Sequence, residues 1–212
     1  MINPKNTAIV FDIGNVCLKV NFQRFLHAIG FEDEEHFRQT PRGQQILKYA
    51  ILFETGKLST TDFLHHFAGL IADDEQAPEK DRLQRAQDIW KLIIGDELPH
   101  IADLVRALHA QGYYLAFLSD ICPLHFALVQ QKLSFFHLIP NHFLSYRIGC
   151  LKPHPDIFAH VEKALPSSIQ NIVFTDDKEE NVQAASGRGW VTHHFTQPEK
   201  FIQLCRELLP PF

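Results

Sequence analysis

The sequence has no closely spaced pair of cysteines: Cys17, Cys122, Cys150 and Cys205 are scattered along 212 residues. Such scatter argues against a zinc knuckle and against the dense disulfide framework of small secreted domains. A reducing cytoplasm is the compartment expected. No apolar run approaches the roughly 20 residues of a membrane helix, and residues 1–5 (MINPK) lack the apolar segment of a signal peptide. There is no excess of positive charge either. Lys and Arg number 20 against 25 Asp and Glu, a formal net charge of −5, which gives no support for nucleic-acid binding. Internal repeats and low-complexity tracts are absent. One methionine stands against eighteen phenylalanines, so the core is packed with rings. Thirteen histidines are present, but the doublets His65-His66 and His193-His194 point apart on a strand or a helix and make poor chelators.

What the chain does have is a strong succession of apolar runs and turn signals. Ile9-Val10-Phe11 is short, β-branched and aromatic, and reads as a strand buried on both faces of a parallel sheet. It stops at Asp12 and then Gly14, where the backbone is free to turn sharply. From Asn21 to Gly95 no strand pattern is evident. Phe22, Phe25, Leu26 and Ile29 recur at helical spacing up to Gly30. Ile46, Leu47, Ala50, Ile51 and Phe53 predict a second helix ending near Gly56. Ser59 and Asp62 form a capping arrangement that opens a third, through Leu70. A polar link at residues 72–78 leads to a fourth helix with Leu83, Ala86, Ile89, Trp90 and Ile93.

Beyond Gly95, helix and strand alternate. Strands are predicted at residues 113–118, 142–145, 171–175 and 190–194, the second of these followed by a loop 147–151 and a helix opened by Pro155. Such units specify an α/β fold: a doubly wound parallel sheet, here with an all-helical segment inserted after the first strand. The expected division is residues 1–19 and 96–212 for the α/β core and 20–95 for the helical insertion.

Three of the strands end in polar residues: Asp12, Ser119-Asp120 and Asp176-Asp177. Lys152 stands in a loop before a helix. In a parallel sheet these ends share one edge, so carboxylates, a hydroxyl and a lysine converge on one crevice. Each has a plain structural reading alone: Ser119-Asp120 and Asp176-Asp177 can cap helices, and Lys152 can lie at the surface. Together they suit phosphoryl transfer. Asp12 and Asp176 are hard oxygen ligands for Mg²⁺. Ser119, the backbone N–H groups after it and Lys152 can hold phosphoryl oxygens. Asp12 is then placed to attack phosphorus and form an aspartyl phosphate.

The four segments FDIGN, LSD (ending at Asp120), LKP (with Lys152) and VFTDDKEEN resemble, in order, the four motifs of the haloacid dehalogenase-like (HAD) hydrolase superfamily. The helical insertion resembles that superfamily's cap, and the resemblance covers essentially the whole chain. It implies a HAD-like Rossmannoid core and a phosphatase acting on a small phosphate ester, possibilities of partner that include neither nucleic acid nor membrane. It implies Asp12 as nucleophile, Lys152 as the balancing charge, and Ser119, Asp120 and Lys152 on the substrate side. Asp12, Asp176 and the Gly14 carbonyl are implied as Mg²⁺ ligands, with Asp177 supporting the metal or Lys152. A monomer or homodimer is expected.

One position departs from the pattern. Phosphatases of this superfamily usually carry an Asp two residues after the nucleophile, as acid for the leaving group; here it is Gly14. The DxG motif resembles bacterial sugar-phosphate phosphatases such as the α-glucose-1-phosphate enzymes. Loss of a positioned acid typically costs about 10²–10⁴ in rate. Asp120 and Asn15 are the nearest replacements. The alternative reading is a catalytically impaired protein that binds phosphate esters or regulates. A dehalogenase, whose first motif resembles DxY and which needs no metal, fits the Asp176-Asp177 pair poorly. Tyr49, Phe53, Arg42 and Lys57 are candidate cap contributors to substrate choice; helix periodicity does not fix which face looks inward, and the Phe-rich faces suit a cap core better than a substrate pocket. Cys17, Cys122 and Cys150 fall near the motifs and are expected to be buried and inert rather than redox-active.

Overall fold

A computed structural model describes residues 3–71, 76–99 and 101–209 of the chain. Residues 72–75 of the predicted polar link lie outside the described residues. Strand β1 (Thr7–Phe11) is buried at every position. After it the chain forms a short strand, β2 (Leu18–Val20), then five helices: α1 (Phe22–Ala28), α2 (Glu34–Gln39), α3 (Pro41–Glu54), α4 (Thr60–Ile71) and α5 (Glu79–Lys91). Strand β3 (Ile94–Glu97) returns antiparallel to β2, with Leu18 opposite Glu97 and Val20 opposite Ile94. The remainder alternates: α6 (Ile101–Ala110), β4 (Tyr114–Ser119), α7 (Pro123–Lys132), a 3₁₀ turn, β5 (Asn141–Leu144), α8 (Ser145–Ile148), α9 (Pro155–Ala164), β6 (Asn171–Asp176), α10 (Glu179–Ser186), β7 (Val191–His194) and α11 (Pro198–Leu208).

The five long-range strands form a parallel sheet in the order β5-β4-β1-β6-β7. Side chains of β1 alternate between two cores. Ile9 and Phe11 pack with α6, α7 and α11, whereas Ala8 and Val10 pack with α9 and α10. Strand β4 repeats this division in register, Ile9 lying opposite Leu115 and Val10 opposite Ala116. A period-two strand with both faces apolar is what a sheet covered by helices on both sides requires. From β1 the order runs outward in two directions, through β4 to β5 and through β6 to β7. The carboxyl ends of β1, β4 and β6 therefore flank the point where the order reverses, the usual place for a ligand crevice.

The helices α1–α5 enclose a third apolar cluster built on rings. Phe53 stacks on Phe63 at 4.4 Å, and Phe63 and Phe25 meet Trp90 at 4.7 and 5.4 Å. Rings at such offsets add to the area they bury. Two seams join this layer to the sheet. The Ser145 hydroxyl donates to the Glu54 carbonyl at 2.6 Å, and His125 Nε2 donates to the Trp90 carbonyl at 2.9 Å.

Three elements differ from the sequence pattern. Helix α2 has only six residues, too few for a periodicity to register, and is set instead by Asp33, whose carboxylate accepts from His36 N–H at 2.7 Å. It lies so close to α3 that a Cβ on Gly43 would stand 1.8 Å from the Phe37 carbonyl oxygen. Strand β3 falls partly in the stretch that shows no strand pattern, because Gly95 and Asp96 have low strand preference. Gly95 is there for clearance: its Cβ would meet the Lys19 carbonyl at 2.6 Å, and β2 could not pair so closely. Finally, α8 occupies the beginning of the expected 147–151 loop. No helix among the described residues is long and apolar enough to cross a membrane.

Candidate active site

The edge formed by the ends of β1, β4 and β6 opens on a crevice of about 550 Å³, roofed by α1, α3 and the end of α5. Asp12 directly follows β1, Ser119 is the last residue of β4, and Asp176 is the last residue of β6. Lys152 reaches the same point from the loop before α9. Its ammonium lies 2.9 Å from Asp12 Oδ1 and 2.6 Å from Asp176 Oδ2, and donates to the Leu118 carbonyl at 3.1 Å. Three acceptors thus match its three N–H donors. Burial alone would push Lys152 down, but Asp12, Asp176 and Asp120 outweigh it and hold its pKa above the usual lysine value.

Asp176 is fully buried and heavily bonded. Besides Lys152, its carboxylate accepts from Lys178 N–H at 2.8 Å and from Asn181 Nδ2 at 2.9 Å. Asp177 is oriented by Asn15, whose Nδ2 donates at 2.8 Å. Asn15 has φ 52°, in the left-handed region that asparagine tolerates, and its Oδ1 also accepts from Val20 N–H at 3.0 Å. Asp120 Oδ1 accepts from the Lys152 backbone N–H at 2.9 Å, which fixes the loop carrying the lysine.

The cluster has more negative charge than its lysine balances. Oxygens of Asp12, Asp176 and Asp177 lie within 4.8 Å of one another, the one such group among the described residues able to hold a metal ion. The Asp12 carboxyl is pushed up to about 7: burial raises it most, Lys152 opposes, and Asp176 and Asp177 raise it further. Asn181 Oδ1 is buried beside Asp176 and has no hydrogen-bond partner. A compact set of hard oxygens, an excess of buried negative charge and an orphaned carbonyl oxygen together fit a divalent cation such as Mg²⁺.

The motif residues named from the sequence are therefore brought together: Asp12, Gly14, Ser119, Asp120, Lys152 and Asp177 all border the crevice, with Asp176 behind them. Neither proposed replacement acid stands free, since Asn15 is engaged with Asp177 and Val20, and Asp120 with Lys152. The four cap residues expected at the crevice do not line it. Helix α3 turns its Leu47, Ala50, Ile51 and Glu54 face inward, at the i, i+3, i+4, i+7 spacing of one stripe. Tyr49 and Phe53 lie on the other face, stacked on His66 at 4.1 Å and on Phe63. Arg42 donates to the Ile29 carbonyl and covers the Phe31 ring, and Lys57 is exposed beyond the helix.

Two polar crevice residues carry no sequence signal. Glu54, on the last turn of α3, has its carboxyl pushed up to about 7 by burial and by Asp120, with Lys178 opposing. His125 is stacked on Trp90 and bonded to its carbonyl, and burial holds its imidazole down at about 4, so it is neutral. The histidine doublets are spoken for: His66 by Tyr49, His193 by Thr175 and His194 by the Asp177 carbonyl. Burial pushes the Cys122 thiol up to about 12 and that of Cys17 well above its ordinary value, as inert cysteines require.

This architecture has known counterparts. A HAD-family enzyme of Bacteroides thetaiotaomicron superposes with a TM-score of 0.77 at 21% identity, covering 97% of this chain and 100% of its own. That enzyme has also been crystallised with magnesium and inorganic phosphate (TM-score 0.71, 20% identity, 89% and 93% covered). A HAD-like hydrolase of Porphyromonas gingivalis gives 0.70 at 21% identity, with 95% and 98% covered. At these identities the likeness shows the fold. By sequence, the chain is 27% identical over 156 residues to the sesquiterpene phosphatase astK of Aspergillus oryzae, covering 74% of this chain and 75% of that protein. The family model for haloacid dehalogenase-like hydrolases matches residues 7–188, and the chain belongs to that family.

Proposed function

We propose that this hydrolase is a Mg²⁺-dependent phosphatase that cleaves a small phosphate monoester through an aspartyl phosphate on Asp12. The observation that carries this reading is the Lys152 ammonium, shared between Asp12 and Asp176 beside a third carboxylate, Asp177, at the edge where Ser119 also ends its strand. Asp12 is the nucleophile: its free carboxylate oxygen bonds to phosphorus as the ester P–O bond breaks, and the leaving oxygen takes up a proton from solvent and departs as the alcohol. Water then attacks the same phosphorus, which releases inorganic phosphate and restores the carboxylate. Lys152 holds Asp12 in place, favours its ionised form against the burial that opposes it, and balances charge that gathers on the phosphoryl oxygens. Ser119 and the N–H groups after it hold those oxygens. Asp12, Asp176, Asp177 and the Gly14 carbonyl are the groups that hold Mg²⁺, with Asn181 Oδ1 adjacent. When bound, the cation neutralises phosphate charge and lowers the barrier to attack by an anionic nucleophile.

The magnesium and phosphate of the Bacteroides enzyme and the phosphatase activity of the Aspergillus relative support this reading. The proposed division places residues 20–95 as a cap over a core of 1–19 and 96–212, consistent with separate apolar clusters for the two. The DxG motif makes a sugar phosphate one candidate substrate, with the α-glucose-1-phosphate branch as the sub-family. The test is phosphate release from a panel of sugar, acyl and alkyl phosphates, with Mg²⁺ or with EDTA. Release is expected with Mg²⁺ alone, and Asp12→Asn should lower it by at least about 10⁴-fold, as for loss of other covalent nucleophiles. Turnover unchanged in Asp12→Asn rejects the mechanism.

Gly14 favours a second reading, in which the site binds phosphate esters without turning them over. It predicts saturable, Mg²⁺-dependent binding of an ester that stays intact over hours. Steady product release excludes it.

A further inference from the structure

The crevice has two dissimilar walls. One is the charged edge already described. The other, supplied by the helical layer, is apolar over most of its face: Phe22, Leu47, Ala50, Ile51 and Ile93 border the opening. Ile51 is 50% exposed, the one large apolar side chain so exposed among the described residues, and it stands on this wall. Polar groups on the same wall are few. Glu34 and Arg38 are bonded to each other at the rim, Arg38 Nε lying 2.7 Å from Glu34 Oε1. Glu54 sits at the junction with the charged edge, where Asp120 and Lys178 face it. The cavity, at about 550 Å³, has room for much more than a phosphate group.

A sugar's hydroxyls, packed on such a wall, would exchange water for carbon and lose their hydrogen bonds. A hydrocarbon chain would instead gain by covering Leu47 and Ile51. From Leu47 to Ile51 the apolar stripe rises roughly 6 Å along the helix, and the side chains of Phe22 and Ile93 continue the apolar wall beside it. We infer that the leaving group is an apolar alcohol, so that the substrate is the phosphate monoester of a medium-length hydrocarbon chain and not of a sugar. The chain lies along the Leu47–Ala50–Ile51 stripe with its phosphate at Asp12. This rests on the phosphatase reading above and deepens it by naming the substrate class.

The test is a homologous series, methyl, butyl, hexyl and octyl phosphate, below micelle-forming concentrations, beside a hexose phosphate and acetyl phosphate. The expected result is a rise in kcat/KM of roughly two- to fourfold per added methylene, up to a plateau once the stripe is covered. Octyl phosphate should exceed the hexose phosphate, and Ile51→Gln should flatten the rise. In parallel, Mg²⁺-dependent binding of the non-hydrolysable octylphosphonate should be tighter than that of methylphosphonate. A flat series, or preference for the hexose phosphate, overturns the apolar assignment while acetyl phosphate turnover upholds the phosphatase. Silence of every ester with phosphonate affinity still rising along the series overturns the phosphatase and upholds the apolar ligand. Silence with equal phosphonate affinities overturns both.

Discussion

The two walls of the crevice are built on opposite principles. On the sheet edge almost every polar atom has a partner: Lys152 satisfies Asp12, Asp176 and the Leu118 carbonyl, and Asn15 and Asn181 orient the flanking carboxylates. Distances there are fixed from several sides, as groups must be if they are to act without reorganising. On the helical wall, apolar side chains meet the opening with few polar partners, and Ile51 is left half exposed. The first wall is organised around charge and the second around shape. Under the proposed function, the contrast separates chemistry from selection within one cavity: the edge would hold what any phosphate ester shares, and the wall would meet what distinguishes one ester from another.

The most severe way to break the charged edge is Lys152→Met. It leaves the buried Asp12 and Asp176 carboxylates facing each other without a cation, and removing one partner of a buried ion pair costs roughly 3–5 kcal/mol. Urea unfolding without divalent ions should register a loss of that size, and added Mg²⁺ should restore part of it. A change below about 1 kcal/mol would mean that the carboxylates are not held as charges by Lys152. A polar substitution on the other wall, at half-exposed Ile51, should alter stability by no more than about 0.5 kcal/mol.

Glu54 lies where the walls meet, and its effect is set by pH. In the fold its carboxyl holds a proton up to about 7, against an ordinary 4.5. As pH rises through 4.5, the unfolded chain gives up this proton while the folded chain keeps it. Stability is therefore lost progressively between about 4.5 and 7, and the penalty is complete above 7. Glu54→Gln has no such proton. Its stability relative to the parent should grow by on the order of 2–3 kcal/mol between pH 4.5 and 8. Asp12 titrates near the same pH, but it is present in both proteins, so the difference isolates Glu54. Urea midpoints of both proteins across this range measure it, and a constant difference would place the Glu54 carboxyl in free solvent.

The sequence is far more informative about the first wall than about the second. Asp12, Ser119 and Asp176 each end a strand, and strands buried on both faces announce themselves as short apolar runs. Once the sheet is parallel, its topology alone brings those ends together, so the charged edge follows from local patterns. No local pattern decides which face of α3 looks inward. Tyr49 and Phe53 have the chemistry of substrate contacts, yet they face α4, because both stripes of α3 carry apolar residues. Glu54 and His125 acquire their character only from burial between elements far apart in sequence. Strand β3 and helix α2 depend in the same way on a partner strand and a capping carboxylate.

A further expected effect, on rate and not on stability, concerns Gly14 in the turn after Asp12. Its backbone has no positive φ, and a Cβ there would meet the Val20 Cγ2 methyl at 3.1 Å and lie 4.0 Å from Asp12 Oδ2. Val20 is partly exposed at the crevice, and its methyl must give by a few tenths of an ångström to admit a Cβ. Gly14→Asp is therefore compatible with the turn, and it leaves the carbonyl of residue 14 in place. If leaving-group protonation limits turnover, the new carboxyl should speed hydrolysis of alkyl phosphates, whose alcohols are poor leaving groups. A gain of about 10–10² in kcat is expected, short of the full effect of an evolved acid. Acetyl phosphate departs without a proton and should gain nothing. The ratio of the two rates separates an added acid from a general change in the site, because better phosphate binding would raise both. Equal rates for parent and variant on octyl phosphate would mean that another group already supplies the proton, and would direct attention to Glu54, a crevice carboxyl besides Asp12 that is pushed up to about 7.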